Sequence, residues 1–348
     1  MAMEHSAVDT TLQSGMQSNQ ELWIPMKRLL QHHQFLKCSR ARSIGMTLPI
    51  RPPIPVFVSH RWHSLRNPDP DGYQYHVVIR FLVEAICLSR GLCKRFFTIG
   101  TYPVVNQRLQ KIFSDLAPEW QAGEQKWRVL QDTGQFHIET WLKNWIASSL
   151  PGLFFEKDEI EEIAMCLERV GVWYDYSCMP QKPFQSDAEE EMFDWNLNNL
   201  NSLISSSHVL MAWDEESVDR AWCLYESIIA AQDEGFNVDI TPNHPSKLFL
   251  DLGGSGVKSV GSKELPTKIR QRIEVVPGLE INLLESGVKS VGSEELATKI
   301  HQRTEELTGL ETNEVENFLS KNRIQTALPG DLPRVARLIS SYLAGVRQ

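Results

Sequence analysis

"IPVFVSHRW", residues 54–62, is an apolar run that stops abruptly at Ser59, His60, Arg61 and Trp62. A short continuous apolar run reads as a strand buried on both faces, as in a parallel sheet. Ligands of open parallel sheets sit outside the carboxyl ends of the strands. The polar end of this run is therefore where a site is expected.

The sequence on either side follows the same logic. "HSLRNPDPDG" is a loop by its Pro, Asp and Gly content. "YQYHVVIRFLVEAICLSRG" is a helix that turns Val78, Phe81, Leu82, Ala85, Ile86 and Leu88 inward and stops at Gly91. "VWYDYSCMPQ" (172–181) and "HVLMAW" (208–213) repeat the strand pattern. Each precedes a helix, "DAEEEMFDWNLNNLNSLISSS" and "SVDRAWCLYESIIAAQDEG"; Ser217 or Asp214 caps the second, and Gly235 ends it. "FNVDI" reads as a weaker fourth strand. Strands alternating with helices predict an α/β, flavodoxin-like parallel sheet with helices on both faces.

Three segments fall outside that pattern. Residues 1–50 read as an N-terminal extension, a mobile tail followed by a helix in "ELWIPMKRLLQHHQFLKC" with Pro25 in its first turn. Residues 93–168 have helical periodicity throughout, far more chain than one crossover needs, and read as a helical insertion in an α/β domain spanning 51–250. Its tryptophans, Trp120, Trp127, Trp141 and Trp145, suit a helical core. Residues 251–348 hold a duplicated segment. "SGVKSVGSKELPTKIRQRIEVVPGLE" begins at Ser255, "SGVKSVGSEELATKIHQRTEELTGLE" at Ser286, and a decayed third copy lies in "NRIQTALPGDLPRVARLI". The last copy is expected to complete the sheet with a strand and a helix, and the first two to lie outside the pocket.

Composition narrows the function classes. The chain of 348 residues is 42% hydrophobic and 23% charged, as in ordinary globular proteins. A net charge of -9 argues against a general nucleic-acid binder, which needs excess cations to meet phosphates. No apolar stretch reaches the roughly 20 residues of a membrane span, and the N-terminus lacks the apolar core of a signal peptide. The six cysteines form no CxxC pair and no zinc-type spacing with His, so no metal site is expected. Reduced thiols and a cytoplasmic location are the expectation.

The strand ends gather the candidate site. The first delivers Ser59, His60, Arg61 and Trp62, the second Asp175 and Tyr176, and the helix after the third carries Arg220, Trp222 and Glu226. A carboxylate, an arginine and several aromatic rings suit a flat anionic molecule such as a nucleotide. "VFVSHRW", "VWYDY" and "HVLMAWDEESVDRAWCLYE", taken in order, resemble the Toll/interleukin-1 receptor (TIR) domain. Ser59 and Arg61 fit that family's first-strand motif, Asp175 its second-strand acid, and Trp222, Cys223 and Glu226 its W-C-x-x-E helix motif. The resemblance implies a TIR-like fold over roughly 54–92 and 170–241. It also implies Glu226 as the catalytic residue of an NAD-cleaving enzyme in immune or defence signalling. Ser59, His60, Arg61, Asp175 and Trp222 would then contact NAD, which is substrate rather than cofactor. Self-association is implied as well. The helical insertion, His60 in place of the first-loop aromatic, and the loop "CMPQKPFQSD" depart from the family pattern.

Each residue also has an ordinary reading. Glu226 fits a solvated helix face, Arg61 a surface pair with Asp69 or Asp71, Asp175 a turn cap, and Cys223 buried packing. Two other functions fit the same sheet: a non-enzymatic TIR-type self-association module, and an N-glycosidase resembling nucleoside deoxyribosyltransferases.

Overall fold

A computed structural model describes residues 21–64, 67–92, 107–132, 134–149, 154–213, 217–232, 238–242, 302–324, 326 and 329–345. The mobile tail expected before residue 21, Cys93, Asp214, Gly235, the first complete repeat and residues 286–301 of the second lie outside the described residues.

The protein is a mixed α/β structure built on a five-stranded sheet. Its strands are β1 (Ile24–Pro25), β2 (Ile54–His60), β3 (Val170–Trp173), β4 (His208–Trp213) and β5 (Val238–Pro242), in the spatial order β1-β3-β2-β4-β5. β2 runs parallel to both neighbours, Val56 facing Val172 of β3 and His208 of β4. β4 and β5 are also parallel, whereas β1 pairs antiparallel with β3 through Ile24 and Val172. Every residue of β2 except Pro55 is buried, and all of β3 is. That is the signature of strands covered on both sides.

The edge strand β1 was not expected. The helix predicted from Glu21 onward instead starts after Pro25 as α1 (Met26–His32). Leu22, Trp23 and Ile24 run straight into the core, and the Trp23 backbone pairs with Leu48 in both directions at 2.9 and 2.8 Å. α1 ends where His33 takes a left-handed conformation (φ 56°), which turns Phe35 inward before α2 (Cys38–Ser43). Ile24 and Pro25 thus join the edge of the sheet, and Leu22, Trp23 and Phe35 of the same segment are buried in the core.

α3 (Tyr73–Arg90) follows β2. The Asp69 carboxylate accepts from the backbone N–H groups of Gln74 and Tyr75, both at 2.9 Å, satisfying donors that a helix start leaves open. The left-handed Gly91 closes the helix as expected. Asp69 thus acts as a helix cap.

The expected helical stretch contains α4 (Gln107–Ser114), α5 (Gln125–Gln131), α6 (Ile138–Ser149) and α7 (Lys157–Arg169). α7 packs on α3 and α1 and continues without a loop into β3. Its end is fixed by Arg169, a fully buried guanidinium. Arg169 bonds Glu124 Oε2 at 3.2 Å and the Glu119 carbonyl at 2.9 Å, and lies over the Trp120 ring at 4.4 Å. Trp127 and Trp145 are buried, in keeping with a helical core.

After β3 come a short turn α8 (Asp175–Cys178), α9 (Asp187–Asn198) and α10 (Leu200–Ser205). The strand is shorter than expected, so Asp175 opens a helical turn. The single helix expected after it is two, broken at Asn199. α11 (Ala221–Gln232) follows β4 and packs on β2 and α10. Residues 302–307 are helical, and α12 (Thr312–Lys321) and α13 (Leu332–Gly345) follow, α13 lying on α11. The strand expected in the third repeat copy does not appear among its described residues. Among the described residues no helix is long and apolar enough to cross a membrane.

Candidate functional site

Successive side chains of a strand point to opposite faces, and at the end of β2 this separates two clusters. Ser59, fully buried, points to α11, where its hydroxyl donates to Glu226 Oε2 at 2.5 Å. His60, also buried, points the other way. Its ring lies flat on Tyr174, with centroids 4.0 Å apart, and Tyr174 lies flat on Phe35 at 3.8 Å. The Tyr174 hydroxyl donates to Gln74 Oε1 of α3. α3 and α11 therefore cover opposite faces of the sheet, and the site straddles the strand between them.

Asp175 joins the second cluster. Its Oδ1 lies 3.3 Å from His60 Nε2, an ion-pair contact rather than an aligned hydrogen bond. Its Oδ2 accepts from the Trp62 indole at 2.9 Å, and its Oδ1 from the Tyr176 backbone N–H. Trp62 meets Tyr176 edge-on at 5.7 Å, both half-buried. Gln74 Nε2 donates to the Arg61 carbonyl at 2.9 Å and so holds the loop after β2. Cys223, buried on α11, contacts the His60 carbonyl through Sγ at 3.4 Å. That contact ties α11 to the strand end and gives Cys223 a packing role.

Charge in this site is set by burial and by the neighbouring charges together. Glu226 is half-buried, yet desolvation is the main influence on its carboxyl and pushes it up to about 8. The Ser59 hydrogen bond and the charge of His60 pull it down; the charge of Asp175 raises it. For His60, burial alone would lower the pKa. The nearby Asp175 and Glu226 carboxylates and the Val58 carbonyl outweigh burial and raise it. Burial holds the Tyr174 phenol well above its ordinary range. Among the described residues no group of three or more His, Cys, Asp or Glu is arranged to hold a metal ion.

Of the six site residues expected from sequence, Ser59, His60, Asp175 and Glu226 converge at the end of β2. Arg61 adjoins them through the backbone and is half-buried. Trp222 lies one helical turn before Glu226, half-buried against the core, edge-on to Tyr225 at 6.2 Å. Trp62, expected at the strand end, joins them through Asp175. Phe35, Gln74 and Tyr174 were not among the candidate site residues. Compared with protein-family models, with curated proteins and with solved structures, the chain matches none.

Proposed function

We propose that the chain is a TIR-like enzyme that cleaves the nicotinamide–ribose bond of NAD. The observation that carries this reading is the Ser59–Glu226 hydrogen bond, which holds a carboxylate at the carboxyl end of the central parallel strand. When the bond between ribose C1′ and the nicotinamide nitrogen breaks, its electron pair neutralises the cationic ring. Positive charge then builds on the ribose, as in glycoside hydrolysis. Nicotinamide leaves without being protonated, so one carboxylate suffices where glycosidases use two. Ionised Glu226 stabilises the ribosyl cation. Water then adds to C1′ and releases a proton, or a nitrogen of the adenine closes a ring. Arg61 is assigned to the phosphates, whose geometry a guanidinium matches with two parallel bonds.

A carboxyl near 8 fits this chemistry in a specific way. In the free protein at neutral pH it is largely protonated; a cationic nicotinamide ring brought alongside it favours the ionised form. The test is chromatography of NAD incubated with concentrated protein. Wild type is expected to release nicotinamide and Glu226→Gln about a hundredfold to a thousandfold less. Equal release from both removes Glu226 from the mechanism. No release from either, with the protein concentrated to favour assembly, leaves the self-association module as the better reading. Release of base from nucleosides but not from NAD points to the deoxyribosyltransferase-like alternative.

A further inference from the structure

The His60 ring is buried between two acceptors. Nδ1 lies 3.2 Å from the Val58 carbonyl oxygen, and Nε2 lies 3.3 Å from Asp175 Oδ1. A neutral imidazole has one N–H and one lone pair. In either tautomer the buried ring would place a bare lone pair close to the Val58 carbonyl or to the Asp175 carboxylate. The imidazolium alone carries a proton on both nitrogens, one toward the Val58 carbonyl and one within ion-pair distance of Asp175. The ring also lies nearly parallel to Tyr174, 10° between planes, where the face of the phenol ring favours a cation.

We propose that His60 is held as an imidazolium and is the positioning residue that sets the charge of Glu226 across strand β2. The charged and titratable groups around it come from four elements. They are Asp69 in the loop before α3, Tyr174 and Asp175 just after β3, Glu226 and Cys223 on α11, and Arg61 next in its own chain. Three are carboxyls, and the His60 charge acts on two of them, Asp69 and Glu226, in the direction of ionisation. With the cation in place Glu226 gives up its proton as the substrate arrives. Without it the proton stays, and a neutral carboxyl does little for a ribosyl cation. The catalytic consequence rests on the NAD-cleavage reading; the protonation state of His60 does not.

Two measurements test this. Long-range 1H–15N correlation spectra of the wild type at pH 7.5 should show both His60 ring nitrogens protonated, where an ordinary histidine, with a pKa of about 6.5, is mostly neutral. A neutral ring there overturns the proposal and leaves the NAD reading standing. The second is the pH profile of kcat/KM for nicotinamide release by wild type, His60→Gln and His60→Phe, the last keeping a ring on Tyr174. The acid limb should move to higher pH in both variants, with kcat/KM at pH 7 falling about tenfold for each pH unit moved. A lower rate with an unmoved limb would mean that His60 only packs, and would sink the idea. If wild type releases no nicotinamide, the NAD reading fails by itself. The Glu226 carboxyl followed by 13C NMR then decides: a higher pKa in His60→Phe than in wild type supports the charge link, and an equal one removes it.

Discussion

The Ser59 hydroxyl and the Glu226 carboxylate, 167 residues apart in sequence, meet at 2.5 Å across the interface of β2 and α11. The bond favours the ionised carboxylate, against the desolvation that opposes it. It also fixes the rotamer that keeps the acid at the strand end. Ser59→Ala removes the donor without opening much space. We expect a stability loss of about 1–3 kcal/mol, the usual range for leaving a buried polar group short of a partner. The acid limb of nicotinamide release should move to higher pH. Urea midpoints and a pH–rate profile check the two effects separately.

Glu226 also makes stability depend on pH. Its folded pKa, about 8, lies above the ordinary carboxyl value of 4.5. Between those values the folded state binds more protons than the unfolded one, so stability falls as pH rises. The stabilisation is complete below about 4.5 and gone above about 8, at a rate of up to about 1.4 kcal/mol per pH unit for a fully desolvated group. Glu226 is half-buried, so the observed slope should be smaller. Glu226→Gln should be less pH-sensitive from pH 5 to 8 and melt above wild type at pH 8.5. His60, whose pKa is also raised, adds a slope of the same sign to both proteins. Parallel melting curves at every pH would show that the carboxyl titrates normally.

Gly171 sits in β3 between β1 and β2, at a place where the backbone approaches its neighbours closely. A Cβ there would lie 2.6 Å from Pro52 side-chain atoms and 2.8 Å from the Trp127 ring. Pro52 is a rigid ring and Trp127 is fully buried, so neither moves aside easily. Gly171→Ala should cost about 1–3 kcal/mol by overpacking. Its urea midpoint should fall without a change in slope. An unchanged midpoint would mean that the strand yields at this point.

The parallel strands around β2 and the convergence of Ser59, Asp175 and Glu226 were legible because buried parallel strands have a strong apolar signature. Polar residues at their carboxyl ends then have one common destination. β1 was not legible, since two residues are too few for periodicity to show. The stack of Phe35, Tyr174 and His60 was hidden for a different reason. It needs the helical pattern of α1 to stop at His33, a non-glycine residue in a left-handed conformation, and it needs the β2–β3 register that aligns Phe57 with Trp173. Neither is encoded in local spacing. Asp69 looked like a surface acid because its role as a cap depends on a loop that folds back onto the start of α3.

That stack makes the N-terminal segment part of the site, and Phe35 tests it. Phe35 is buried and meets Tyr174 at 3.8 Å with 4° between the rings, and it also meets Tyr75 edge-on at 6.4 Å. Phe35→Ala should cost about 3–5 kcal/mol, from lost burial and the cavity left behind. Phe35→Leu keeps most of the volume but not the flat face, and should cost less. The two variants separate packing from ring geometry. If Phe35 holds Tyr174 flat under His60, the His60 ring resonances should shift in both, and nicotinamide release by the better-folded Leu variant should fall as well. Unshifted His60 resonances in a folded Phe35→Leu protein would confine Phe35 to stability and detach the N-terminal segment from the site.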